Sequence, residues 1–308
     1  MAELIIVRAV NIGASILLAG TFTFDVVVVA PAGRVGISDF QAFERCLFRV
    51  AIWSLVAALL SALVWFWLEV SSMNGLPATR AFSTNAWQTV LFETQFGRVW
   101  QLRLGLSAAA FALIVSGLVQ VKARRGLITF AWLLSIVLLV SLAWISHAAA
   151  ATVLPLGVLG DMIHLCAAGM WMGGLVPLAI LLGRLRGSFS LGGAVVSVLQ
   201  RFSTLSLCCV SVLVLSGISN SWLLVGSIHA LFTTPYGRLL VFKLMLFAIL
   251  IGLAGRNRFL VKAMRRKPVA DPDLLSQVRR NILCEICFAA AVVAIVACLG
   301  VTPPARHL

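Results

Sequence analysis

The chain has 308 residues, 61% of them hydrophobic, with 24 Lys+Arg against 10 Asp+Glu and a formal net charge of +14. Its charged share of 11% is under half of the roughly 25% usual in soluble domains, and its apolar residues fall in runs of about 20, enough to cross the ~30 Å hydrocarbon layer as helices. A soluble enzyme, a disordered chain and a secreted disulfide scaffold are excluded; the sequence reads as an all-α polytopic membrane protein held in a lipid bilayer.

Eight spans are predicted in chain order, near residues 4–30, 46–70, 100–121, 127–147, 157–182, 203–226, 238–255 and 282–301. Span 1 carries Arg8 inside its apolar run and Pro31 just after the small-residue stretch, so it is expected to remain as a helix rather than act as a cleavable signal. A short surface helix is expected around Trp87–Phe92 in the long connection to span 3, and Pro155 is read as the turn between spans 4 and 5.

Lys and Arg crowd the odd connections, which hold 17 of them, ending in a block from Arg256 to Arg280. The even connections and the tail hold Arg80, Arg98 and Arg306, with Arg103 and Arg238 at span edges. Positive residues favour the cytoplasm, so both termini are expected on the periplasmic side. The basic balance is therefore one of membrane orientation, and no nucleic-acid partner is implied.

An internal likeness joins the two halves. Thr94, Phe96, Gly97, Arg98 and Arg103 are spaced like Thr234, Tyr236, Gly237, Arg238 and Lys243. Two four-span halves in parallel repeat are expected, 1–147 and 148–308, within one membrane domain.

Polar groups inside a bilayer need a reason. His147 ends span 4 and His164 lies in span 5, equally far from the Pro155 turn, which places both imidazoles at similar depth on adjacent helices. If their faces converge they suit a copper ion or an axially ligated haem iron. Asp161 at i−3 and Trp171 at i+7 share the His164 face, Asp161 as an orienting carboxylate. Met162, Cys166 and Met170 follow i, i+4, i+8 on another face with Met172 nearby, a spacing that suits soft Cu(I) and equally a core stripe. A buried His–Asp bond that only fastens helix packing is the plain alternative for His164. Arg98, Arg103, Arg238 and Lys243 are expected to ring the outer ends of spans 3 and 7, snorkelling or pairing with Glu69, Glu93 or Asp161. Asp25 and Glu285 are expected to pair with nearby Arg on the opposite side. His229 and His307 read as ordinary loop residues.

The seven Cys sit mostly in apolar runs and read as small buried hydrophobes; the CxxC of Cys284 and Cys287 has no second pair to complete a zinc site. No nucleotide-binding, HExxH or GxSxG sequence is present, so the chain is expected not to be an enzyme.

Asp161, His164, Gly169, Met170, Trp171, Met172, Gly173, Gly174 and Pro177 together resemble the signature span, here 157–182, of the copper resistance protein D (CopD/PcoD) family. Ser146-His147, Gln200 through Ser203, Ser216-Gly217, Tyr236-Gly237 with Lys243, Asn257-Arg258 and Thr302 through Pro304 match in order. The resemblance implies an eight-span bacterial inner-membrane protein in copper transport or tolerance, served by a periplasmic CopC-type copper-binding partner. It points to His147, Asp161, His164 and Trp171. Span 1 departs from the family pattern in offering Asn11 where a histidine ligand would be expected. A membrane b-type haem protein, and a structural or assembly protein without a metal site, stand as the alternatives.

Overall fold

A computed structural model describes residues 2–32, 40–75, 77, 85–119, 124–146, 154–184, 192–265 and 272–305. It contains eight helices long and apolar enough to cross a membrane: Ala2–Ala32, Ala42–Met73, Gln95–Gly117, Arg125–Ile145, Leu156–Arg184, Val195–Val225, Pro235–Met264 and Asp273–Leu299, spans 1 to 8 below. The described residues form no strand. In a bilayer only a helix satisfies every backbone donor and acceptor within one segment, so uninterrupted apolar runs fold this way.

Spans 6, 7 and 8 run further than hydropathy alone set them. Their extra turns carry Arg201, Arg256, Arg258, Lys262, Arg279 and Arg280. Charge ends an apolar run but leaves the helical backbone bonds intact, so the helix continues past the hydrocarbon edge. Pro155 is likewise no turn residue. The fifth helix begins at Leu154 and takes Pro155 into its first turn, where a missing N–H costs nothing.

Spans 1 and 5 are the axis of the bundle. Each buries 72% of its most apolar window, against 22–44% in the other six. Their crossing depends on glycine. A Cβ on Gly20 would overlap the Gly173 backbone, and one on Gly173 would overlap the Ile16 carbonyl. A Cβ on Gly169 would strike Leu139 Cδ2 of span 4, and one on Gly174 would come within 2.7 Å of Phe202 Cε2 of span 6. Small residues let two backbones meet where lipid supplies no hydrophobic drive for association. This glycine-rich helix thus packs closely on three neighbours, spans 1, 4 and 6.

Two local irregularities adjust the ends of this frame. Span 1 finishes as a π-turn over Phe24–Val29 before Ala30–Ala32, next to Pro31, which has no N–H to offer an earlier carbonyl. Span 4 tightens to a 3₁₀ turn over Ser141–Ile145 that packs on span 5.

The entrances to spans 3 and 7 are built alike. The expected surface helix runs over Ala86–Glu93, and an unforeseen one runs over Ile228–Thr233. Each leads to an extended threonine, Thr94 (φ −96°, ψ 153°) or Thr234 (φ −91°, ψ 152°). Thr94 Oγ1 donates to the Val90 carbonyl and accepts from Gly97 N–H at 3.0 Å. Thr234 Oγ1 donates to the Ala230 carbonyl and accepts from Gly237 N–H at 3.1 Å. The threonine therefore caps the new helix while tied to the old one. A side chain on Gly97 or Gly237 would collide with carbonyls of the preceding helix, so both positions are confined to glycine. Phe96 and Tyr236 point inward, Arg98 and Arg238 outward.

Replacing Gly173 with Val is expected to lower the midpoint of thermal unfolding in detergent, in line with an overpacking cost of about 1–3 kcal/mol. Gly252→Ala, where a Cβ meets nothing within 4 Å, is expected to leave the midpoint unchanged or raise it.

Candidate metal site

His164 stands eight residues into span 5, about 12 Å along the helix at 1.5 Å per residue. Its ring lies against span 6, where a Cβ on Gly217 would sit 3.6 Å from His164 Cε1. Nδ1 is 2.9 Å from Ser216 Oγ. The roles in this bond follow from the serine's other contact. Ser216 Oγ donates to the Val212 carbonyl at 2.7 Å, and a hydroxyl has one proton. With that proton on the carbonyl, Oγ accepts from Nδ1–H, and no described residue bonds Nε2. Metal-binding imidazoles are arranged in this way, one nitrogen donating to a fixed acceptor and the other presented as ligand.

Asp161, one turn before His164, is drawn to span 6. Its Oδ1 accepts from Asn220 Nδ2 at 3.0 Å. The imidazole is thus bonded to Ser216, and the carboxylate adds charge at this level of the bundle. Ser216 and Asn220 are four residues apart and so share one helical face, which meets His164 and Asp161 on the facing helix. Asn220 Oδ1 is buried without a hydrogen-bond donor and packs on Gly160. Lys243, eight residues into span 7, is near enough for its charge to act on both His164 and Asp161.

The charged residue at the same distance into span 3 departs from expectation. Arg103 does not ring the outer surface: it is 5% exposed and enclosed by polar groups of spans 1 and 4. Nη1 donates to the Leu138 carbonyl at 2.6 Å and Ser141 Oγ at 2.9 Å; Nη2 donates to Asn11 Oδ1 at 2.9 Å and Ser15 Oγ at 3.3 Å. Asn11 Nδ2 in turn donates to the Ala58 carbonyl and Ser61 Oγ of span 2. Ser15, Ser61 and Ser141 each spend their proton on a carbonyl of their own helix, so their oxygens are left as acceptors. Snorkelling loses here because a guanidinium with this many acceptors is better served inside than at the rim.

The remaining candidates are spread out. Arg98 and Arg238 are exposed, and Arg238 Nε donates to the Phe232 carbonyl at 3.1 Å. Met162, Cys166 and Met170 are half-buried and Met172 is buried, at successive levels of span 5. Trp171 is fully buried, about two turns deeper than His164, with its ring 6.3 Å from Phe247 at 73° and its Nε1 unpartnered among the described residues. His229 is exposed. His147 and His307 lie outside the described residues. Among the described residues no group of three or more His, Cys, Asp or Glu is arranged to hold a metal ion. Sequence reasoning missed Asn220 and the acceptor set around Arg103; polar residues four apart within an apolar span, such as Ser216 with Asn220 and Asn11 with Ser15, were the available signal.

Residues 1–158 match the family described as Copper resistance protein D-like, N-terminal domain, and residues 196–299 match Copper resistance protein D. The chain is 30% identical to the inner membrane protein YebZ of Escherichia coli (strain K12), over 73% of this chain and 74% of that protein. It is 28% identical to copper resistance protein D of Pseudomonas syringae pv. tomato, over 70% and 71%. It is also 28% identical to the copper transport protein CutJ of Bacillus subtilis (strain 168), over 72% of this chain but 41% of that longer protein. No solved structure matches.

The hydrogen-bond pattern around His164 makes a spectroscopic forecast. In ¹⁵N-histidine-labelled protein, the His164 ring is expected as the Nδ1–H tautomer; Ser216→Ala is expected to give a mixture of tautomers. Finding the Nε2–H form in the unaltered protein would contradict the assignment.

Proposed function

The chain belongs to the copper resistance protein D family, and on that premise we propose that it is a multi-pass inner-membrane protein that binds copper at His164 and carries it across the bilayer. The observation that supports this reading is the His164 ring, whose Nδ1 is tied to Ser216 while no described residue bonds its Nε2. His147 is proposed as the second ligand. It follows by two residues the 3₁₀ turn that packs on span 5. Two imidazoles suit copper in either oxidation state, and the thioethers and thiol of Met162, Cys166, Met170 and Met172 offer softer donors along the same helix.

Copper here is cargo, and the protein is a carrier rather than an enzyme. The orientation proposed from the Lys and Arg distribution puts both termini, and the His164 end of the bundle, in the periplasm. Delivery from a CopC-type periplasmic copper-binding protein is proposed on the same grounds. Asp161 offsets part of the cation's charge, while Lys243 opposes it; the site's affinity is set between them.

Purified wild-type protein is expected to retain copper after desalting, and His164→Ala and His147→Ala each to lose it. Ser216→Ala, which removes only the acceptor of the ring N–H, is expected to weaken binding by about 10-fold. Unchanged copper content in both histidine variants would remove the site. A Soret absorption band in the purified protein that disappears in the same variants would replace copper with haem b.

For orientation, Val153→Cys is expected to react with a membrane-impermeant thiol reagent added from outside. Reaction only after the cytoplasmic side is opened would invert the arrangement.

A further inference from the structure

A second polar place lies in the membrane at the end of the bundle away from His164. Spans 5, 6, 7 and 8 line a half-open cavity of about 130 Å³ there, whose walls include Ser203, Ser206, Asn257, Arg258 and Glu285 as well as leucines such as Leu175. Asn257 is 14 residues beyond Lys243 on span 7, about 21 Å by helical rise. Between the two levels stands the buried Trp171, edge-on to the half-buried Phe247.

Glu285 is 2% exposed, twelve residues into span 8 and about 18 Å from its start. It was expected to meet an arginine and does not. Arg258 Nη1 is turned to Ser203, 3.3 Å from both its carbonyl and its Oγ. The carboxyl instead ends a chain of amides: Asn281 Nδ2 donates to Asn257 Oδ1 at 2.9 Å, and Asn257 Nδ2 donates to Glu285 Oε1 at 2.6 Å. No described residue donates to Oε2, and the carboxyl lines a cavity roomy enough for several waters. An ionisable group placed so in a membrane marks an ion or proton path more often than a packing contact.

We propose that Glu285 is a proton-binding site, loaded and unloaded through this cavity. An O–H bond forms on Oε2 as a hydronium ion entering the cavity gives up a proton and becomes water, and the same bond breaks as a water takes the proton back as hydronium; the Oε1 bond to Asn257 persists through both states. A metal ion fits less well. Glu285 is the one carboxylate in the lining, the other donors are hard oxygens already in hydrogen bonds, and the Arg258 guanidinium stands in the wall. The groups facing the carboxyl are few: Ser203 and Ser206 from span 6, Asn257 and Arg258 from span 7, and no ionisable residue of spans 1 or 5 in the lining. Arg279, six residues earlier on span 8, lies instead against Gly183.

The test is infrared difference spectroscopy of the full-length protein in liposomes, stepped between acidic and alkaline buffer. A carboxylic-acid carbonyl band that appears on acidification, shifts rapidly in D₂O and is lost in Glu285→Gln is the expected result. The same band in Glu285→Gln, its absence from wild type, or a band that does not respond to D₂O would overturn the proposal. Should Glu285→Gln fail to fold, Asn257→Leu keeps the test open: losing its donor, the Glu285 band moves, and an unmoved band refutes the assignment. Copper content measured on the same samples reads the His164 site separately, so either site can fail without the other.

Discussion

The contact on which this molecule depends is one between backbones. Spans 1 and 5 meet at Gly20 and Gly173, with no room for a Cβ on either. In a bilayer, side chains gain little by leaving lipid for protein, so close backbone approach and internal hydrogen bonds must hold the bundle together. The glycine face of span 5 serves this in several directions, toward span 1, Leu139 of span 4 and Phe202 of span 6. With span 5 seated at the centre, its polar residues reach several helices: Asp161 and His164 meet span 6, and Lys243 of span 7 acts on both.

The buried polar groups obey one rule of supply. Serine hydroxyls in these helices give their single proton to a carbonyl three or four residues back, and so present only lone pairs to the interior. In the first half such acceptors collect around Arg103 and absorb its donors. In the second half Ser216 collects the Nδ1 proton of His164, and the opposite ring nitrogen is left available. The two clusters draw on similar materials, a serine of the neighbouring span with an amide or imidazole, yet one is closed and the other open.

Hydropathy made the eight spans legible, because an apolar run of this length has no other way to satisfy its backbone in lipid. Span ends were less legible, since Arg256 or Arg279 can extend a helix into water as well as end it. The threonine entrances to spans 3 and 7 were visible as spacing, though not as paired caps. Partner choice was the part that stayed hidden. Asp161 sits one turn from His164 in sequence, yet its carboxylate goes to Asn220, and Glu285 goes to Asn257 rather than to a cation. Such pairings depend on the rotation of one helix about its axis relative to the next, which no periodicity within a single span encodes.

Arg103 has one further consequence. A guanidinium keeps its proton under any condition a cell provides, so the first four helices contain a permanent positive charge sealed among neutral dipoles. A passing cation would meet electrostatic repulsion there undiluted by water. The space between spans 1, 3 and 4, where Arg103 is enclosed, is thereby made unfavourable to any second positive charge.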